Sequence, residues 1–266
     1  MPIVKVDDIN MYYETHGEGE PLILISGNGA ESSQWKDMIP TFSKNYRVIP
    51  FDNRGAGRTD RPDMEYSMDM MAADVIGLMD VLEIKKAHIL GASMGGMIAQ
   101  NIAHLYPDRV KSLILVVTSM KNSFRANYAC KQAIKRVMDG SDPDALAEHS
   151  AIWSFPEEVL ENPGAVDRIK SAMAPVLNPQ TVDAFKRQND ALATFDSSNW
   201  ISEITAPTLV IAGEGDIIWP KKYSGPELAK FIPDSKFVSL PGAHMAYILS
   251  AEAFQGHVMN FLSSIE

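Results

Sequence analysis

The chain has little cysteine, little positive charge and no long hydrophobic run. Cys130 is the single cysteine among 266 residues, so an internal disulfide framework is excluded. The 24 Lys and Arg residues stand against 34 Asp and Glu residues, which gives a net charge of −10. Nucleic acid and anionic membrane surfaces are therefore disfavoured as partners, because both require clustered basic side chains. The longest apolar runs, 22–25 and 113–117, are far below the roughly 20 residues of a membrane-spanning helix.

Signals for export and for cofactor binding are also missing. The first residues lack the basic and apolar regions of a secretion signal, so we expect a cytoplasmic protein. No His/Cys spacing typical of a metal site occurs, and neither G-x-G-x-x-G nor a P-loop is present. The sequence therefore predicts no metal and no cofactor. It leaves a monomer and a homodimer equally open.

Short apolar runs alternate with amphipathic stretches over most of the chain, of which 45% is hydrophobic and 22% charged. Uninterrupted apolar runs separated by helices are typical of parallel strands buried on both faces. We therefore predict an α/β fold with a mostly parallel central sheet flanked by helices, preceded by a hairpin. The predicted strands are 3–6, 10–14, 22–26, 46–51, 87–90, 110–117, 208–212 and 237–240, and the clearest helices are 68–82, 94–105 and 251–262.

This alternation stops between residues 119 and 199. The stretch is interrupted by several prolines and is typical of a set of short helices rather than of a sheet. We therefore predict a core domain formed by 1–118 and 200–266, with a helical insertion over 119–199.

The strongest motif is Gly91-Ala-Ser93-Met-Gly95, which lies between a predicted strand and a predicted helix. Such a sharp turn admits only small residues two positions before and after the serine, and it presents the serine hydroxyl at the sheet edge. A glycine-rich turn without catalytic function would show the same spacing. The strand and helix on either side favour the interpretation of Ser93 as a nucleophile.

A serine nucleophile needs a base and an acid that orients the base. Among the six histidines, His244 follows a late predicted strand within a loop, which favours it as the base. Asp216 follows the strand 208–212 and is the preferred acid, with Glu214 as a nearby alternative. The order Ser, Asp, His is the order expected for this kind of turn.

A tetrahedral intermediate also needs two hydrogen-bond donors for its oxyanion. The backbone N–H of Met94, directly after the nucleophile, is one candidate. The loop Ser26-Gly-Asn28-Gly29 follows an early strand and supplies the other, for which we choose the Asn28 N–H.

Taken together, these motifs resemble the α/β-hydrolase family, and the resemblance extends over nearly the whole chain. It rests on the hairpin start, Ser26-Gly27, the segment 51–59 (FDNRGAGRT), the turn at Ser93, Gly213-Glu-Gly-Asp216 and Pro241-Gly-Ala-His244. The resemblance implies that the insertion 119–199 is a cap over the active site. Many relatives have histidine where this chain has Ser26.

Within the family the chain looks most like small esterases and enol-lactone hydrolases. The resemblance thus implies a carboxylic ester hydrolase with a Ser93–His244–Asp216 triad that takes a small ester or lactone. Ser93 argues against dehalogenases and epoxide hydrolases, which have aspartate there. Carbon–carbon bond hydrolases and cofactor-free perhydrolases share the serine triad and stay open, as does a small-molecule receptor with vestigial activity.

Overall fold

The computed structural model describes residues 2–140, 143–173, 182–219 and 221–265. A short antiparallel hairpin, β1 (Ile3–Val6) and β2 (Ile9–Tyr12), precedes the central sheet. The strands of the sheet are β3 (Glu20–Ile25), β4 (Tyr46–Pro50), β5 (Ala87–Ala92), β6 (Val110–Val116), β7 (Thr208–Gly213) and β8 (Ser235–Leu240). The helices are α1 (Ile39–Phe42), α2 (Met68–Val81), α3 (Met94–Leu105), α4 (Phe124–Met138), α5 (Pro143–Ser154), α6 (Glu157–Leu160), α7 (Ala165–Met173), α8 (Val182–Ala193), α9 (Pro226–Phe231), α10 (Ala246–Leu249) and α11 (Ala251–Ser263).

The central sheet has the strand order β4-β3-β5-β6-β7-β8, and each neighbouring pair is parallel. The predicted fold class is therefore confirmed. Parallel strands end at the same edge of a sheet, which is where open α/β sheets bind their ligands. The loops after β3, β5, β7 and β8 carry the candidate residues, and the sheet brings all four loops to that edge.

Both faces of the sheet are covered, which explains the uninterrupted apolar runs in the sequence. Successive strand residues point to opposite faces. Ile23 and Ile25 of β3 therefore pack into the core cluster that contains α2 and α3 side chains. Leu22 and Leu24 pack on the other side, in the cluster that includes residues of α1 and α11.

Between β6 and β7 the chain leaves the sheet and forms α4 to α8. We call residues 119–199 the helical segment. A bridge between Lys121 and Asp196 joins its two ends, and the Lys121 ammonium donates to the Asp196 carboxylate at 2.5 Å. Residues 141–142 and 174–181 of the predicted insertion lie outside the described residues. Its status as a separate unit stays a prediction.

Candidate active site

Ser93 lies in the sharp turn between β5 and α3. Its φ of 55° falls in the left-handed region, where a non-glycine residue costs about 1–3 kcal/mol. A Cβ at Gly91 would lie 2.1 Å from the carbonyl oxygen of Gly95, and one at Gly95 would lie 2.2 Å from that of Ile25. Both glycines are therefore required by the close approach of backbone. The turn holds Ser93 at the sheet edge, at the amino terminus of α3.

The loop after β8 brings His244 to this serine. Its Nε2 lies 3.1 Å from Ser93 Oγ, and its Nδ1 lies 2.9 Å from Asp216 Oδ2. The side chains of His244 and Asp216 are only 11% and 7% exposed. This shielding matters because water would weaken the electrostatic coupling between the two groups.

The loop after β7 holds Asp216 by its second oxygen. Oδ1 accepts hydrogen bonds from the backbone N–H groups of Ile218 at 2.8 Å and Trp219 at 3.3 Å. Glu214, the competing carboxylate, is exposed, and its backbone N–H donates to the Leu240 carbonyl at 3.0 Å. The structure thus brings Asp216, and not Glu214, to the histidine.

The loop after β3 packs directly against the nucleophile. A Cβ at Gly27 would lie 3.4 Å from Ser93 Cβ and 3.9 Å from its Oγ, so the backbone of this loop borders the hydroxyl. Among the described residues, neither the Asn28 nor the Met94 backbone N–H donates a hydrogen bond to the protein. The role of these two N–H groups as oxyanion donors stays a prediction.

Ser26 is buried, and three bonds fix it in place. Its Oγ accepts from Trp35 Nε1 at 3.1 Å and donates to the Glu31 carbonyl at 3.1 Å. Asn53 Nδ2 donates to its carbonyl oxygen at 3.0 Å. The serine that replaces the usual histidine is thus satisfied within its own network.

Two side chains of the helical segment reach the same loop, and sequence reasoning gave neither of them a role here. Gln188 accepts from the Gly29 N–H at 2.9 Å. The Asn28 side-chain amide donates to Cys130 Sγ at 3.6 Å, and burial raises the pKa of this thiol to about 11. More than 100 residues separate each partner from the loop, so no local pattern could have indicated these contacts.

The described ranges contain no group of three His, Cys, Asp or Glu side chains arranged to hold a metal ion. Within the same ranges, no helix is long and apolar enough to cross a membrane.

A family model of the alpha/beta hydrolase fold matches residues 20–251. Because this match covers most of the chain, the chain belongs to the α/β-hydrolase fold family. The family predicted from the sequence motifs is therefore confirmed, and the chain is a hydrolase of this fold.

Its relatives include hydrolases with different names. The putative carbamate hydrolase RutD of Pseudomonas savastanoi pv. phaseolicola is 31% identical over 94% of this chain and 96% of its own length. The 3-oxoadipate enol-lactonase 2 of Acinetobacter baylyi is 29% identical over 94% of this chain and 92% of its own length. The crystal structure of the enol-lactonase from Burkholderia xenovorans LB400 has a TM-score of 0.85 and 27% identity, covering 98% of this chain and 100% of that chain.

Proposed function

We propose that the chain is a serine hydrolase that cleaves a small carboxylic ester or lactone through an acyl-serine intermediate. One observation carries the proposal: His244 lies between Ser93 and Asp216, within hydrogen-bond distance of both. A serine, a histidine and an acid in this order are the arrangement that activates a hydroxyl for attack on a carbonyl carbon. The similarity to enol-lactonases supports an ester-type bond as the substrate.

Acylation begins when Ser93 Oγ attacks the carbonyl carbon and His244 Nε2 takes the hydroxyl proton. Asp216 holds the imidazole by Nδ1 and stabilises the imidazolium that forms. When the tetrahedral intermediate collapses, the ester C–O bond breaks and His244 gives its proton to the leaving alkoxide. An ester thus releases a free alcohol, whereas in a lactone the alcohol that forms stays covalently attached to the acyl group.

Deacylation repeats these steps with water. His244 takes a proton from water as the water oxygen attacks the acyl carbon, and it returns that proton to Ser93 Oγ as the carboxylic acid leaves. In both halves the negative charge on the former carbonyl oxygen is stabilised by the N–H groups of Asn28 and Met94. Losing one such donor typically costs about 2.7–4 kcal/mol of barrier.

The proposal includes the helical segment as a cap over this site. Two hydrogen bonds between the helical segment and the core support this. The backbone carbonyl of Ser154, at the end of α5, accepts from the Met245 N–H at 3.1 Å, and Ser123 Oγ donates to the Ile218 carbonyl at 2.6 Å. Met245 directly follows the proposed base, and Ile218 lies two residues after the proposed acid. A segment held at both points excludes water from the reacting groups, which strengthens their electrostatic interactions.

Hydrolysis of p-nitrophenyl esters of increasing acyl length, together with a set of lactones, tests the proposal. Wild-type protein is compared with Ser93→Ala, and a fluorophosphonate followed by peptide mass spectrometry reports the labelled serine. We expect Ser93-dependent turnover and labelling at Ser93. Turnover that survives the Ser93→Ala substitution would refute the acyl-serine mechanism.

A carbamate is a second candidate substrate, and one observation besides the relative's name favours it. Asn28 Oδ1 is buried without a hydrogen-bond partner among the described residues. This oxygen belongs to the loop beside Ser93, and it could accept from a carbamate N–H group, which an ester lacks. Release of ammonia from a simple carbamate, measured beside ester hydrolysis, decides between the two substrates.

The remaining alternatives predict different results in the same assays. A carbon–carbon bond hydrolase would leave esters intact but cleave a vinylogous diketone, and a perhydrolase would need hydrogen peroxide for its products. A receptor with vestigial activity would turn over slowly and bind its ligand far more tightly than any ester. Because these alternatives depend on Ser93 to different degrees, the comparison of wild type with Ser93→Ala helps to distinguish them.

A further inference from the structure

Gln188 connects the helical segment to two loops of the core. It lies in the middle of α8 and is fully buried. Its Oε1 accepts from the Gly29 N–H at 2.9 Å, and its Nε2 donates to the Arg54 carbonyl at 2.7 Å. One carboxamide therefore fixes the loop beside Ser93 relative to a second loop that is itself firmly held.

The Gly29 N–H belongs to the Asn28–Gly29 peptide, the central peptide of a turn, which in general can take two orientations. Residues 27–30 form a tight turn closed by a 3.2 Å bond from the Ala30 N–H to the Gly27 carbonyl. Gly29 has a φ of 73°, whereas Asn28 is not among the residues with positive φ, and this combination matches a type II turn. Rotation of the Asn28–Gly29 peptide converts type II into type I. That rotation would exchange the Gly29 N–H for the Asn28 carbonyl oxygen on the side that faces Gln188.

The orientation of this peptide matters because the turn borders the reacting groups. Gly27 packs against Ser93, and Asn28 is the proposed oxyanion donor. Rotation of the Asn28–Gly29 peptide would reverse the direction of its dipole immediately after the proposed Asn28 donor. Gln188 Oε1 opposes this rotation, because it can accept from an N–H but would repel a carbonyl oxygen.

We propose that Gln188 is a positioning residue that holds the Asn28–Gly29 peptide in the orientation required for oxyanion stabilisation. The helical segment then completes the oxyanion site in addition to covering it. This inference rests on the proposed function, because it assumes that Asn28 binds an oxyanion formed on Ser93.

The test compares Gln188→Met with Arg187→Met. Methionine matches glutamine in length but neither accepts from Gly29 nor donates to Arg54. Arg187 is the matched control: it is the preceding residue of α8 and also joins the helical segment to the core, through an ion pair with Asp63, but among the described residues it has no hydrogen bond or ion pair with the loop. Each variant is assayed for kcat and KM on the best p-nitrophenyl ester and for inhibition by an alkyl boronic acid. The boron of that inhibitor bonds to Ser93 Oγ and becomes a negatively charged tetrahedral boronate, which resembles the tetrahedral intermediate.

We expect Gln188→Met to lower kcat about a hundredfold, the effect of a small misplacement of catalytic groups. KM should change by less than about threefold, since only transition-state binding is affected. Boronate affinity should fall with kcat. Arg187→Met should keep kcat within about twofold of wild type, because an ion pair whose carboxylate is 94% exposed contributes little.

Gln188→Glu adds a readout that a packing role would not change. The protonated carboxyl can accept from Gly29 and donate to Arg54, as glutamine does. The ionised carboxylate still accepts from Gly29, but it loses the bond to Arg54 and adds a buried negative charge against the loop that contains the proposed oxyanion donor. The kcat of Gln188→Glu relative to wild type should therefore fall as the pH rises through the pKa of the introduced carboxyl.

The possible results separate this inference from the proposed function. If wild type shows Ser93-dependent turnover while Gln188→Met retains wild-type kcat and boronate affinity, the positioning role is wrong and the hydrolase proposal stands. A pH-independent activity ratio for Gln188→Glu would also contradict it. If wild type neither reacts with the fluorophosphonate at Ser93 nor hydrolyses any ester, lactone or carbamate, both proposals fail together.

Discussion

Arg54, which directly follows Asn53, forms a buried, bidentate ion pair with Asp74 of α2. Nε and Nη2 of Arg54 donate to the two carboxylate oxygens, each at 2.6 Å, and Asp8 adds a bond to Nη2 at 3.0 Å. Burial raises the pKa of the Asp74 carboxyl, although Arg54 acts in the opposite direction. Burial also disfavours the charged guanidinium, but its two acidic partners more than offset this and raise the pKa of Arg54.

We predict that Asp74→Ala destabilises the fold by about 3–5 kcal/mol, because it leaves a buried guanidinium without its main partner. Urea unfolding followed by circular dichroism measures the loss. The exposed pair between Arg109 and Asp80 provides the control, since its Asp80 side chain is 63% exposed. Asp80→Ala should cost less than about 1 kcal/mol. Equal losses in the two variants would contradict the structural role assigned to Arg54 and Asp74.

The glycines around Ser93 give a second prediction. Gly95→Ala forces a Cβ into the Ile25 carbonyl, so it should lower both the Tm and the Ser93-dependent activity. Overpacking against rigid backbone typically costs about 1–3 kcal/mol or more. Gly256→Ala is the matched control, because a Cβ there meets nothing within 4 Å on helix α11. Replacing that helical glycine should stabilise the fold by about 0.5–1 kcal/mol. Thermal melts of both variants check the two opposite signs.

Much of this fold is encoded in local patterns. The apolar runs predicted the strands because the sheet is buried on both faces, and Gly91 and Gly95 predicted the turn because crowding there is a backbone property. Asp216 and His244 were candidates because each closely follows an apolar run predicted as a late strand. Each of these features depends on residues within about ten positions of one another.

The contacts with the helical segment could not be predicted in the same way. Gln188 has the character of an ordinary helical residue, and only the packing of α8 on the core shows that its amide meets Gly29 and Arg54. Asp74 is similar: it lies within an amphipathic helix, and its burial follows from a partner 20 residues earlier. Polar side chains that are buried through tertiary contacts give no periodic signal.

The two carboxylates after β7 should differ sharply in their effect on catalysis. Asp216→Asn replaces the acceptor for His244 Nδ1 with an amide that can favour the wrong imidazole tautomer, and we expect kcat to fall about 10⁴-fold. Glu214→Gln should leave kcat unchanged, since Glu214 is exposed and Asp216 is the partner of His244 Nδ1. Steady-state kinetics on the same ester measures both. A loss confined to Glu214→Gln would mean that Glu214, not Asp216, orients the base, and comparable losses would contradict the assignment of this role to Asp216 alone.

Cys130 gives a prediction that depends on pH. Burial raises the pKa of its thiol to about 11, although the hydrogen bond from the Asn28 amide acts against this. A raised pKa keeps the thiol protonated at neutral pH, and only the thiolate reacts with iodoacetamide. At pH 8 about one thiol in a thousand is ionised, so alkylation of the native protein should be slow and should accelerate about tenfold per pH unit up to pH 10. The urea-unfolded chain, with a cysteine pKa near 8.5, should instead level off above about pH 9. A plateau at that pH in the native protein would show that the thiol is not shielded.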